Sequence, residues 1–96
     1  MYAHVNIWTL NDRGSSTDDT AAREIGTQLA RQPGFYSYTV VRTGQSEVVV
    51  LTIFDTRDEL ESAMRAVADI ARDRLTPLQA GEPQRRAGDV LYHTQA

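Results

Sequence analysis

Hydrophobic and polar positions along this chain follow two different periods. From Tyr2 to Leu10 they alternate. Ala3, Val5, Ile7 and Thr9 are small, apolar or β-branched, whereas His4, Asn6, Trp8 and Leu10 are larger and include a histidine, a carboxamide and an indole. Alternation predicts a first strand with two unlike faces. A polar loop, "NDRGSSTDD", follows, with Ser16 or Thr17 as helix N-cap candidates and Asp18 and Asp19 suited to the first helical turn. Ala21, Ala22, Ile25, Leu29 and Ala30 then recur at helical spacing, which predicts a helix from about Thr17 to Gln32, stopped by Pro33 and Gly34.

Period two returns from Phe35 to Arg42, the second strand, and "TGQS" reads as a hairpin turn into the third, Glu47 to Phe54. On the second strand Tyr36, Tyr38, Val40 and Arg42 alternate onto one face, opposite Phe35. Thr56 and Glu59 form a capping box that opens a second helix, whose stripe is Leu60, Ala63, Met64, Val67, Ala71 and Leu75. Pro77 marks its end, and "VLYHT", Val90 to Thr94, reads as the fourth strand after an irregular connection. The order β-α-β-β-α-β predicts a ferredoxin-like α+β fold: a four-stranded antiparallel sheet in spatial order 4-1-3-2, with both helices on one face.

The third strand adds a further expectation. In "EVVVLTIF" Val48, Val50 and Phe54 occupy one side and Val49, Leu51 and Ile53 the other, so both faces need cover. The helices cover one. The economical cover for the other is a second copy packed sheet to sheet, which predicts a homodimer.

Size and charge narrow the function classes. A chain of 96 residues, 41% apolar and 24% charged, fits one domain spanning residues 1–96. A net charge of −3 and pI near 5.2 argue against nucleic acid or an anionic membrane as main partner. Without cysteine there is no disulfide, thiolate nucleophile or thiolate metal site. "MYAHVN" lacks the features of a signal peptide and no apolar run is long enough to span a membrane, so a soluble cytoplasmic protein is the default expectation. All basic residues are arginine, which reflects genome composition more than function. "EVVVLTIF" lacks the basic, Gly-aromatic pattern of RNA-recognition strands, and no Ser/His/Asp triad, P-loop, GxGxxG or HExxH occurs.

Pro33-Gly34-Phe35 opening the second strand, and "VVVLTIFDTRDELESAM" from Val48 to Met64, make the chain resemble the dimeric α+β barrel superfamily, and within it the antibiotic biosynthesis monooxygenase (ABM)-like domains. The resemblance implies a cleft between sheet and helices. It also implies members that are cofactor-independent monooxygenases of polycyclic aromatic compounds, and others that degrade heme. In the heme-degrading branch an Asn on strand one points into the cleft, and Asn6 stands at the matching place. That branch also has a Trp and a ligating His on the second helix, where this chain has approximately Ala63 and the residues near Asp73, so heme is expected to bind weakly.

If the even face of strand one looks toward the helices, Asn6 and His4 are the candidate catalytic residues. Asn6 would stabilise a developing oxyanion or enolate, and His4 would act as a base. Trp8 would stack on a flat ligand. Phe35, Phe54, Met64 and His93 complete the expected substrate-binding set. Strands one and four as predicted would also bring His4 near His93, a pair too poor in ligands for a metal site. The leading reading is a cofactor-independent monooxygenase, with no metal, acting on a small flat hydrophobic or aromatic metabolite. The alternative is a non-catalytic small-ligand-binding or accessory protein. On the structural alternative, Trp8 fills core, Asn6 satisfies a backbone group and His4 lies at an exposed strand end.

Overall fold

The computed structural model describes residues 1–16 and 18–96. Its elements are β1 (Tyr2–Thr9), α1 (Asp12–Ser15), α2 (Thr20–Ala30), β2 (Phe35–Gly44), β3 (Glu47–Phe54), α3 (Arg57–Arg74), a 3-10 turn (Thr76–Leu78) and β4 (Gln84–Asp89). The strands form one antiparallel sheet in the order β2-β3-β1-β4, the expected ferredoxin-like arrangement.

Register assigns the faces. β1 pairs Tyr2 with Phe54, His4 with Thr52, Asn6 with Val50 and Trp8 with Val48. Residues directly opposite share a face, so the even positions of β1 lie on the side of Phe54. Phe54 is fully buried in a core with Ile25 and Leu29 of α2 and Leu60, Ala63 and Val67 of α3. The polar-and-indole face of β1 therefore looks toward the helices. On the other face lie Val5, Ile7, Val49, Leu51, Val41 and Ile53, of which only Ile53 is buried; Leu51 and Val41 are 37% and 48% exposed.

Local chemistry explains how the elements begin and end. Thr56 caps α3 by accepting from the Glu59 N–H at 3.2 Å. The Glu59 carboxylate accepts from the Thr56 hydroxyl at 2.9 Å, a variant of the predicted capping box. The same carboxylate lies over Gly34, whose φ of +80° and lack of a Cβ are both required there. This contact joins the turn before β2 to the start of α3, with the Asp55 N–H donating to the Gly34 carbonyl at 2.8 Å.

Three expectations are corrected. The loop after β1 contains a helical turn, α1, capped by the Asn11 side chain, and Asn11 Nδ2 also donates to the carbonyl of Pro77. Ser16 ends α1 and does not start α2. Thr17 lies outside the described residues, and it is Asp18 that accepts from the Thr20 N–H and hydroxyl, just ahead of α2. Second, β4 is the polar segment "QRRAGD", and "VLYHT" continues past it as an irregular tail begun by a hydrogen bond from the Val90 N–H to the Met1 carbonyl. An edge strand paired on one side needs backbone partners more than apolar side chains, and all six residues of β4 are exposed. Third, a bulge between Phe35 and Ser37 shifts the parity of β2. Phe35 pairs with Phe54 and Tyr38 with Thr52, so Phe35, Tyr38, Val40 and Arg42 share the helix-facing side and Tyr36 is set apart from Tyr38.

Candidate functional site

α2 and α3 do not cover the whole sheet. Beyond the core they leave a cavity of about 580 Å³ between β1, β2 and β3 on one side and α2 on the other. Its floor is built by the alternation of three strands: Trp8 from β1, Tyr38, Val40 and Arg42 from β2, and Val48 and Val50 from β3. Ala21, Ala22 and Gly26 of α2 form the roof, Leu10, Gly14, Leu75 and Leu78 close one end, and Asp18, Asp19 and Arg23 border it with Arg42. The lining is mainly apolar with a charged margin, the usual character of a small-molecule site.

Small residues make the space. Gly26 sits in the middle of α2, and a Cβ there would meet the Tyr38 ring at 3.0 Å. Gly14 lets α1 approach the 3-10 turn, since a Cβ there would collide with the Leu78 carbonyl.

Two buried polar atoms on the helix-facing side of β1, Asn6 Oδ1 and Trp8 Nε1, have no hydrogen-bond partner among the described residues. One is an acceptor and the other a donor, two residues apart on the same face of β1. Leaving such groups unpaired costs about 1–3 kcal/mol each. In the next row toward the core stand His4, Thr52 and Tyr38. Burial holds the His4 imidazole below its usual range, and the positive Arg85 of the neighbouring strand adds to the effect, so His4 is neutral and able to accept a proton at neutral pH. Burial pushes the Tyr38 phenol up to about 12, which keeps it a donor and not a base. Among the described residues no group of three or more His, Asp or Glu side chains gathers at metal-binding distance.

The predicted site residues fall into three groups. Trp8 lines the cavity; Asn6 and His4 lie on the same face of β1 but outside the cavity wall. Phe35 and Phe54 stack edge to face at 5.6 Å within the core, and Met64 packs against that core, so none of the three lines the cavity. His93 does not approach His4. Register pairs His4 with Ala87, and the His93 ring stands edge-on to Tyr36 at 4.9 Å, with its Nε2 buried and without a partner among the described residues. Tyr38, weighed in the sequence with Tyr36 as a pocket phenol or as interface packing, Val40, Arg42 and Gly26 were not among the predicted site residues. The bulge concealed the first three, and a glycine inside a helical pattern was the available signal for the fourth.

No known family profile and no curated protein matches the sequence. Solved structures do match the fold. A Nitrosomonas europaea protein described as a "putative antibiotic biosynthesis monooxygenase" superposes with a TM-score of 0.84 at 18% identity, over 96% of this chain and 100% of that one. SnoaB from Streptomyces nogalater, a cofactor-independent oxygenase, gives 0.81 at 18% identity for a point variant, covering 96% and 94% of the two chains. Rv0793 from Mycobacterium tuberculosis gives 0.81 at 13% identity over 98% of each. The chain shares its fold with these proteins. At these identities the likeness concerns the fold, and a role must be argued from the site.

Proposed function

We propose that this protein is a small cofactor-independent monooxygenase that oxidises a flat, hydrophobic aromatic metabolite in the cavity between sheet and helices. The observation that carries the reading is a mainly apolar cavity of about 580 Å³ lined by Trp8, whose Nε1, like Asn6 Oδ1 on the same face of β1, is buried without a partner among the described residues. The oxygenase description of SnoaB, which shares the fold, supports the class of reaction.

Without a cofactor the substrate must supply every electron. An activated methylene between aromatic rings meets that demand: one methylene and one dioxygen give one ketone carbonyl and one water. Both C–H bonds of the methylene break, one oxygen atom becomes the carbonyl oxygen, and the other leaves as water with the two hydrogens. The carbon loses the four electrons that dioxygen gains. In this reading neutral His4 takes the first proton, the Trp8 N–H donates to the enolate or phenolate oxygen that develops, and Asn6 Oδ1 orients a neighbouring phenolic hydroxyl. Tyr38, protonated at neutral pH, adds a donor at the wall. The apolar lining excludes water, which strengthens these interactions.

The same reading closes the open sheet face with a second copy, because Val5, Ile7, Val49 and Leu51 form an apolar surface there. The position of Asn6 and His4 outside the cavity wall favours a second reading, a ligand-binding protein without catalysis. Oxygen uptake separates the two. With an anthrone-type phenol, and after subtraction of spontaneous oxidation, an oxygenase consumes one dioxygen per substrate without added flavin, nicotinamide or metal and in the presence of a chelator. Saturable binding without oxygen uptake selects the second reading.

A further inference from the structure

We propose that the preferred ligand carries a single carboxylate, which Arg42 holds at the cavity margin. This inference rests on the reading of the cavity as an aromatic-ligand site and names the substrate class more closely. Of the four charged residues at the margin, three are already engaged. Asp18 accepts from the Thr20 N–H at 3.0 Å and from its hydroxyl at 2.6 Å, and Arg23 Nε donates to Asp19 at 2.8 Å. Arg42 is different. Its Nη1 donates to the Gln45 carbonyl at 3.0 Å, which anchors the group in the β2–β3 hairpin, and among the described residues no carboxylate forms an ion pair with it. Most of its N–H donors therefore remain open for a planar, bidentate acceptor.

Register sets the reach. Arg42, Val48 and Trp8 stand in one row across three strands, on the face that lines the cavity. Two strand spacings separate the first from the last, about 10 Å. That distance spans two fused rings, so a polycyclic substrate can seat one end there, with its carboxylate on Arg42, its first rings over Val48 and the next part against Trp8. A dianion such as a phosphate ester is disfavoured, because Asp18 and Asp19 border the same opening and only one guanidinium is open.

The test is isothermal titration of the intact protein with 2-naphthoate and with its neutral isostere 2-naphthamide, with fluorescence of Trp8, the chain's one tryptophan, as second readout. The acid is expected to bind about tenfold tighter than the amide, the usual scale of a charge-assisted pair. Arg42→Gln is expected to lower acid binding to the level of the amide and leave amide binding unchanged. Arg42→Lys should keep part of the preference, and Arg65→Gln, on the exposed surface of α3, should keep all of it. Equal binding of acid and amide, or a preference that survives in Arg42→Gln, overturns the carboxylate assignment while the aromatic cavity stands. Failure of both compounds to bind overturns the two together.

Discussion

Tyr38 of β2 lies against Gly26 of α2 so closely that a Cβ on the glycine would come within 3.0 Å of the ring. A glycine in a helix interior costs about 1 kcal/mol relative to alanine, and here that cost opens the cavity roof. Gly26→Ala sets the helix gain against the contact. The ring borders open space and can yield by a few tenths of an ångström, so thermal stability should equal or exceed that of the parent. The displaced ring should narrow the cavity and weaken an aromatic ligand several-fold. Calorimetric melting and ligand titration on one sample check both halves; a large loss of stability would show that Tyr38 is fixed.

His4 gives the stability a pH dependence of known sign. Burial and Arg85 lower its folded pKa from 6.5, so between the two values the unfolded chain binds more protons than the folded one. Its contribution is full above pH 6.5 and is lost as pH falls from there through the lowered folded value. Urea unfolding at about pH 7.5 and about pH 5 should show a smaller loss for His4→Leu than for the parent. Arg85→Gln, which removes the positive neighbour, should also reduce the loss. A loss unchanged in His4→Leu would place the dependence on other groups.

The open sheet face predicts its own probe. A charge at Leu51 would be exposed in a monomer and buried without a partner in a sheet-to-sheet dimer, where it costs several kcal/mol. The parent should sediment as a dimer at micromolar concentration. Leu51→Asp should sediment as a monomer or lose its fold. A parent that is a stable monomer, with Leu51→Asp unaltered, would contradict the second-copy reading.

Particular residues show what the sequence could disclose. The order of elements along the chain was sufficient for the strand order, and alternation in "MYAHVNIWTL" for a strand with two unlike faces. Alternation alone left open which face meets the helices, because the helix-facing side of β1 carries His4 and Asn6 while the apolar side, with Val5 and Ile7, faces away; pairing with β3 decides it. β4 was invisible: Gln84–Asp89 gains its place from backbone pairing with β1, while the better β-formers of "VLYHT" lie beyond it. The bulge before Ser37 was equally silent, since one extra residue leaves composition unchanged while moving Tyr38 to the cavity wall. Trp8 lines the cavity, the place that the even face of β1 gives it. Phe35 and Phe54 looked equally suitable, yet size and aromaticity suit a core as well as a ligand site, and the core holds them.

Thermal melting combined with oxygen uptake in Asn6→Leu decides whether the polar face of β1 serves a ligand. Asn6 Oδ1 has no partner among the described residues, so replacing the side chain breaks no hydrogen bond seen to that atom and removes a buried polar group. The expected outcome is a melting temperature equal to or above that of the parent, together with loss of oxygen uptake on an anthrone-type phenol. A variant that melts several degrees lower while consuming oxygen at the parental rate would show that Asn6 supports the sheet and takes no part in the site.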